Sequence, residues 1–400
     1  MNLTRVQKAF YLFLILDFIL LALAASNLSI SHKEAFLFFG QNGLAGYLAH
    51  ASCSFFGNSN LSLRLPFIIV SIANVLLMYY LSKDYFRYEK DRLYNVVIFA
   101  LLPGVISASI LVNEAVAVIF CTLVYLAWFK KFKTHNYLFL SLFLFVDNSF
   151  MILYFGLLIY SVFTKNQKLL YVSGLLFLFS LMFFGFDTGG RPKGYFIETI
   201  GIFATIFSPL LFLYYFYSMY SVPVRKEQNI LWYIAFSSLI LALLLSFRQR
   251  VNVEDFAPFA VISIPFMMKL FLSSMRVRLK EFRTKYYLGS ILVVGVLIVN
   301  SLILVWNKPI YLLISDPSDH FAFYYSFADE IAISLKNKNI NNVKVIDDEK
   351  LQIRLKFYGI KSGDEYIIKT KLENLNDANI VFSLLGKPIY GVNVTKLNIN

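Results

Sequence analysis

Residues 64–82, RLPFIIVSIANVLLMYYLS, decide the fold class of this chain. One charged side chain, Arg64, opens the stretch, and none follows within it. An α-helix rises about 1.5 Å per residue and the hydrocarbon core of a bilayer is about 30 Å thick, so this stretch is long enough to cross it. The sequence therefore predicts a transmembrane helix over 64–82.

Apolar runs of similar length recur through the first three quarters of the chain, at 9–26, 94–112, 114–129, 168–186, 198–220, 230–247, 256–273 and 286–306. A longer run, 137–163, fits two short spans broken at Asp147-Asn148. The total is about eleven. Composition agrees, because 58% of the 400 residues are hydrophobic and 15% are charged, against about 25% charged in a usual soluble domain. The first run follows a short basic segment, but its length favours a retained anchor over a cleaved signal peptide.

The flanking cations predict the orientation of these spans. With a cytoplasmic N-terminus, eighteen Lys and Arg residues fall on inner loops and six on outer loops, as the positive-inside rule requires. An odd number of spans then places the C-terminal end outside. The net charge of +13 follows from this bias and a basic tail, so it does not indicate nucleic acid as a partner.

The chain divides near Trp306 into a transmembrane domain, 1–306, and a water-soluble domain, 307–400. The soluble part has one helical pattern over 323–336, with Phe327, Ile331 and Leu335 on one face. Strand-like runs follow at 343–346, 366–369 and 380–384. We expect a small external α/β domain. The two cysteines, Cys53 and Cys121, indicate packing and no disulfide framework.

The longest outer loop, 27–63, contains two short aromatic-rich amphipathic segments, which are typical of helices that lie in the membrane interface. Polar residues collect at the outer ends of the predicted spans, where ionisable groups usually face a cavity. The candidates are Lys33, Glu34, Arg64, Asn113, Glu114, Asp147, Arg191, Arg248 and Arg250. Arginines bind phosphate groups and a carboxylate can serve as a general base. This combination suits a phosphorylated lipid as substrate.

Each candidate also has an ordinary structural interpretation. Glu34 is a solvated loop charge in that interpretation, Arg64 anchors its span at the headgroups, and Asp147 caps a turn. Arg248 and Arg250 are further headgroup anchors. The histidines of the loop lack a third ligand at metal-binding spacing, so no metal site is predicted from the residues.

Three phrases resemble the GT-C glycosyltransferases that use polyprenyl-phosphate sugars, the relatives of the protein O-mannosyltransferase and aminoarabinose transferase families. The first is the loop phrase that starts at Phe56-Gly57 and ends in Arg64-Leu65-Pro66. The second is Leu101-Leu102-Pro103-Gly104 followed by Asn113-Glu114. The third is the phrase at 254–259, with Arg248 and Arg250 just before it. The resemblance covers roughly residues 1–275 and implies a GT-C-like transmembrane fold.

The chain departs from the family at one important position. The family carries an Asp-Glu pair early in the first outer loop, and its Asp is taken to be the catalytic base. Here Lys33 replaces that Asp, and Glu34 keeps the second position. Three outcomes stay open: Glu34 is the base, Glu114 is the base, or the transferase activity has been lost.

The resemblance implies an inverting glycosyltransferase of the cell envelope. It would move a sugar from a polyprenyl-phosphate donor to a hydroxyl of a lipid, glycan or protein on the outer face of the membrane. Glu34 or Glu114 would be the base, and Arg64, Arg248 or Arg250 would bind the donor phosphate. No cofactor is certain, and a divalent metal is possible. The alternatives are an inactive GT-C-like protein and a transporter or flippase. The abundance of Lys, Asn, Ile and Phe indicates an AT-rich bacterial genome, so we expect a bacterial inner membrane with the soluble domain in the periplasm.

Overall fold

A computed structural model describes residues 4–41, 43–184, 194–370, 378–384 and 386–396. These residues are mostly helical, with one small mixed sheet. The helices are α1 Arg5–Ser26, α2 His32–Gly40, α3 Gly43–Phe56, α4 Asn60–Leu81, α5 Glu89–Ala100, α6 Pro103–Ile110, α7 Ala115–Phe132, α8 Tyr137–Phe143, α9 Phe150–Thr164, α10 Gln167–Phe184, α11 Phe196–Phe207, α12 Pro209–Val224, α13 Ile230–Ser246, α14 Val253–Val261, α15 Ile264–Val277, α16 Lys280–Val305, α17 Ala328–Asn337 and α18 Glu349–Phe357.

The described chain forms two compact units. The first contains the chain up to Leu21 together with Phe67–Leu304, and the second joins Ala22–Pro66 to the chain from Val305 onward. The first outer loop and the C-terminal part are therefore one folded body. The predicted domain boundary near Trp306, and the side of the membrane on which each part lies, stay predictions.

Four helices, α1, α4, α7 and α16, are long and apolar enough to cross a membrane by themselves. The most apolar stretch of α16 is only 11% buried within the protein, and that of α1 only 22%. Exposed helix surfaces of this kind need hydrocarbon around them, since water would solvate them at a large free-energy cost. The chain is thus an integral membrane protein.

Three predicted spans are broken into bent helix pairs. The bends are 60° between α5 and α6, 105° between α11 and α12, and 42° between α14 and α15. A proline lies in the first turn after each break, at Pro103, Pro209 and Pro265. Proline lacks the N–H that would continue the preceding helix. The residues before the first two prolines, Leu102 and Ser208, also leave helical geometry, with ψ of 129° and 147°. The runs predicted as spans over 94–112, 198–220 and 256–273 are therefore each divided into two helices.

The predicted count of about eleven spans is not confirmed. The described helices give four spans, or up to seven when each bent pair counts as one, and α9, α10 and α13 are shorter apolar helices. The run 137–163 does break near Asp147, between α8 and α9. However, α8 has only 7 residues, a length of about 10 Å, which is too short to cross the hydrocarbon core.

Close helix contacts hold the first unit together. Helix α9 packs on both α10 and α13. A Cβ added at Gly156 of α9 would lie 3.0 Å from the Cα of Ile234 in α13. A larger residue here would require the helices to shift by a few tenths of an ångström, and small residues commonly allow such close contacts between membrane helices. The sequence at this position therefore fixes how closely the two helices pack.

The second unit contains a four-stranded sheet in the order β1-β2-β4-β3. The strands are β1 Asn342–Val345, β2 Lys361–Lys369, β3 Ile380–Leu384 and β4 Lys387–Lys396. β1 and β2 are parallel and are connected through α18, whereas β2–β4 and β3–β4 are antiparallel. Three of these strands overlap the predicted ones, and β4 and α18 were missed.

The core of the second unit lies between the sheet and α17 and α18. Ile331 and Leu335 of α17 are fully buried and pack with Val343, Leu355 and Ile368. The predicted helix over 323–336 starts too early, because residues Phe323–Tyr325 form a separate 3₁₀ turn. Phe327 then has a φ of 67° immediately before α17, and this left-handed residue prevents one continuous helix.

Candidate functional site

Glu34 lies in the first turn of α2 and is 1% exposed. Its Oε2 accepts a hydrogen bond from the backbone N–H of Ser31 at 2.8 Å, and Ser31 Oγ accepts one from the N–H of Glu34 at 3.3 Å. This reciprocal arrangement is a capping box, which satisfies N–H groups that a helix start leaves without partners. Glu34 therefore belongs to the structure of the helix start.

Arg64 forms a buried ion pair with the same carboxylate and is 0% exposed. Its Nη2 donates to Glu34 Oε2 at 2.7 Å and its Nε donates to Oε1 at 3.3 Å. The remaining donor contacts go to backbone carbonyls: those of Leu28 at 2.6 Å, Ser29 at 3.0 Å, Ala25 at 3.3 Å and Asn60 at 3.4 Å. All three guanidinium nitrogens donate, so Arg64 fastens the two ends of the loop 27–63 together.

The neighbouring Lys33 is exposed and therefore does not share the buried environment of Glu34. The sequence carried a signal for the cap, since Ser31 followed three residues later by Glu34 is the capping-box pattern. The pairing of Glu34 with Arg64, in contrast, joins residues 30 positions apart. Nothing local in the sequence reveals it.

A second buried arginine, Arg354 of α18, was missed by the sequence reasoning. Its Nε donates to the carbonyl of Ile30 at 2.7 Å, and its Nη2 donates to Ser29 Oγ at 3.1 Å and to the carbonyl of Ser326 at 2.7 Å. Tyr358, the residue directly after α18, accepts from the N–H of Ile30 at 2.8 Å. Burial raises the pKa of Tyr358, so its hydroxyl stays protonated and donates to Asn60 Oδ1 at 2.5 Å.

Asp255 lies within electrostatic range of three other carboxylates in the first unit. Asp255, in the first turn of α14, interacts electrostatically with Asp147, Glu254 and Glu114, and its carboxylate accepts a hydrogen bond from the side chain of Asn252. Glu114 lies at the N-terminus of α7, and α14 packs on both α7 and α9. Three predicted turns therefore meet at one place in the first unit. We call Glu114, Asp147, Glu254 and Asp255 the acidic cluster.

Local hydrogen bonds fix the turns around this cluster. Asn113 is buried, and its Oδ1 accepts from the N–H of Ala115 at 3.0 Å. Asp147 Oδ1 accepts from the N–H of Ser149 at 2.8 Å. Asn148 follows Asp147, and its Oδ1 is buried and has no hydrogen-bond partner within the described part of the chain. A buried polar atom without a partner is costly and is common where a ligand or water is bound.

The predicted phosphate-binding arginines of the first unit are exposed. Arg250 Nε lies 2.6 Å from Glu198 Oε1, and the side chain of Arg250 is 73% exposed. Arg248 is also exposed. Arg191 lies outside the described residues. The residues described contain no group of three or more His, Cys, Asp or Glu side chains that could bind a metal ion.

Comparison with known proteins identifies the fold class. The fold of the chain is similar to that of ArnT, which is an aminoarabinose transferase and a GT-C glycosyltransferase. One similar solved structure is ArnT from Cupriavidus metallidurans in the apo state, with a TM-score of 0.53 and 10% identity over 93% of this chain and 87% of that one. ArnT bound to undecaprenyl phosphate gives a TM-score of 0.47 and 9% identity over 96% and 97%. No family model and no curated protein sequence matches the chain.

Proposed function

We propose that this chain is a membrane glycosyltransferase that transfers a sugar from a polyprenyl-phosphate donor to an acceptor hydroxyl on the outer face of a bacterial inner membrane. The acceptor would be a lipid, a glycan or a protein. The fold class supports a reaction of this kind by analogy. The observation that carries the proposal is the acidic cluster, which brings carboxylates from three turns together in the membrane unit.

Glu114 is the general base in this proposal. A base must reach the acceptor hydroxyl within hydrogen-bond distance, and Glu114 is only half-buried at the start of a helix. Glu34 is a poorer candidate, because it is 1% exposed and its oxygens already accept from Arg64 and Ser31. We assign Glu34 and Arg64 to the structure of the second unit.

The charged side chains of the first unit define the steps of the proposed reaction. Glu114 takes the proton of the acceptor hydroxyl, and the resulting oxygen nucleophile attacks the anomeric carbon opposite the phosphate. The bond between that carbon and the phosphate oxygen breaks with its electron pair, which leaves a polyprenyl phosphate and inverts the configuration. Arg248 or Arg250 would stabilise the negative charge that grows on the leaving phosphate. Their exposure leaves them accessible to a lipid headgroup.

One specific feature favours an inactive relative as the second candidate. The exposed Lys33 occupies the position where the family carries its Asp, and the adjacent carboxylate of Glu34 is held in a buried ion pair. In that case the acidic cluster would be inherited without being used for transfer.

A turnover assay separates the two candidates. The purified full chain in liposomes is supplied with a panel of undecaprenyl-phosphate sugars and a membrane lipid extract, and release of undecaprenyl phosphate is measured. We expect wild type to turn over at least one donor and Glu114→Gln to lose roughly 10²- to 10⁴-fold in rate. Glu281→Gln, an exposed glutamate in α16, is the matched control.

The possible results have distinct meanings. Wild-type turnover that Glu114→Gln leaves unchanged would exclude Glu114 as the base while keeping the transferase. Failure of wild type on every donor would overturn the transferase proposal and favour the inactive relative.

A further inference from the structure

A cavity of about 580 Å³ lies within the second unit. Its walls come from the turn before α17, the first turns of α18, the end of β2 and strand β4, and His32 of α2 also contributes. Small-molecule sites usually have volumes of roughly 300–1,000 Å³. The cavity therefore has the size of a ligand site and is formed entirely by residues of this unit.

A buried cation with a spare donor lines this cavity. Arg354 is 7% exposed, and its hydrogen bonds use Nε and Nη2. Its Nη1 donates no hydrogen bond to any described residue, and it is not among the fully enclosed polar atoms that lack a partner. The cavity is the open space next to this side chain. Nη1 is thus a donor, on a buried side chain, that is available to a ligand. Burying a guanidinium group whose donors are not all hydrogen-bonded costs free energy.

The cavity also contains a hydrogen-bond acceptor and aromatic rings, in addition to the Arg354 donor. Asp348 caps α18, where its Oδ1 accepts from the N–H groups of Lys350 and Leu351 at 3.0 and 3.2 Å. No described residue donates to its Oδ2. Phe327 and Tyr390 stack with centroids 4.8 Å apart, and Tyr324 leaves 59% of its surface exposed. All of these residues line the cavity, so it has polar groups of both kinds beside apolar ring surfaces.

The charges decide which class of ligand fits. Asp347, Asp348 and Glu349 face the same cavity as Lys350 and Arg354, so a phosphate or a polyanion would be repelled by three carboxylates. A lipid tail would leave the Arg354 donor and the Asp348 oxygen without partners. A sugar ring satisfies both requirements, because each hydroxyl donates and accepts while the C–H face of the ring packs on an aromatic side chain.

We propose that this cavity binds a neutral saccharide of one or two rings. Asp348 accepts from a pair of sugar hydroxyls, Arg354 donates to a ring or hydroxyl oxygen, and Tyr324 packs against the apolar face at the opening. The proposal rests on the cavity alone and holds whether or not the first unit transfers a sugar.

The test measures saccharide binding by the full chain in nanodiscs, without donor, by saturation-transfer-difference NMR. The probes are neutral methyl glycosides and disaccharides, glucuronic acid and inorganic phosphate. We expect a neutral saccharide to bind best. Asp348→Asn should weaken it about tenfold or more, since a charge-assisted hydrogen bond is lost, while asparagine preserves the helix cap. Tyr324→Ala should weaken it roughly two- to tenfold.

Phe321→Ala is the matched control, because Phe321 is a similarly exposed aromatic residue of the same segment, 53% exposed, and does not line the cavity. Its affinity should equal that of wild type. Absence of binding by every neutral probe, stronger binding of glucuronic acid or phosphate, or equal losses in Tyr324→Ala and Phe321→Ala would each overturn the proposal. Because no donor is present, failure here is separate from failure of the turnover assay.

Discussion

The two units use the same residue types in opposite ways. In the second unit, Glu34 and Arg64 are almost fully buried and bonded to each other and to the loop backbone. In the first, Arg250 pairs with Glu198 at the surface, and the acidic cluster gathers carboxylates around Asp255. Sequence patterns assigned both groups to one site. The difference in burial and bonding shows that Arg64 and Glu34 hold a loop, whereas the cluster retains groups that can meet a substrate.

The largest expected effect comes from breaking the buried pair. Arg64→Ala leaves the Glu34 charge buried and removes the donors to four backbone carbonyls, which should reduce the stability of the second unit by about 3–5 kcal/mol. Hydrogen exchange of the α2 amides in the full chain measures this loss. Arg250→Ala, which breaks an exposed pair, should cost only about 0–1 kcal/mol. Equal losses in the two variants would remove the distinction between the regions.

A double variant sharpens the same comparison. Replacing both members by leucine removes the buried charges together, so part of the loss in Arg64→Ala should be recovered. Recovery should be incomplete, because the carbonyls of Leu28 and Ser29 still lose their donor. Each buried carbonyl left without a donor should cost about 1–3 kcal/mol of stability. The same exchange measurement applies. Full recovery to wild-type stability would mean that the carbonyl contacts of Arg64 contribute nothing.

In the first unit, the corresponding arginine should affect substrate binding more than folding. Arg250→Ala should raise the KM for the polyprenyl-phosphate donor roughly ten- to hundredfold, through loss of a charge-assisted hydrogen bond to phosphate. Glu198→Gln removes the partner of Arg250 and leaves the guanidinium in place, so its KM should stay equal to or below the wild-type value. A similar rise of KM in both variants would point to the ion pair itself.

The smallest effect is a pH dependence confined to the second unit. His320 Nδ1 accepts from the N–H of Ala322 at 3.0 Å, so in this neutral tautomer Nε2 donates to the carbonyl of Asn307 at 3.0 Å. Burial lowers the pKa of His320. The unfolded state therefore binds the proton more readily, and the stabilisation is complete above about pH 6.5, the usual pKa, and declines as pH falls below it.

Variants of two histidines test this dependence. His320→Gln should flatten the stability profile of the second unit between neutral and mildly acidic pH, measured by hydrogen exchange of the α17 amides. His50→Gln, which changes an exposed histidine of α3, should leave the profile unchanged. A profile that keeps its slope in His320→Gln would assign the titration to another group.

Hydrophobic patterning in the sequence predicted the membrane class and the approximate position of most long helices, because burial in lipid requires long apolar runs. It did not predict the breaks, although Pro103, Pro209 and Pro265 mark all three of them. Strand β4 escaped detection because it contains Pro388 and Gly391, which argue against a strand in a single sequence. Of the site, the positions of Asp147 and Glu114 in turns between helices were predicted, but their closeness to Asp255 was not. Whether a carboxylate is buried in an ion pair depends on contacts distant in sequence, as Glu34 and Arg64 demonstrate.

One paired measurement tests the central claim most directly: stability and donor turnover of Glu34→Gln and Glu114→Gln, each measured on the folded full chain. The account predicts that Glu34→Gln destabilises the second unit, while its folded fraction transfers sugar at the wild-type rate. Glu114→Gln should keep wild-type stability and lose transfer. The reverse pattern, with transfer abolished in a stably folded Glu34→Gln and retained in Glu114→Gln, would contradict it.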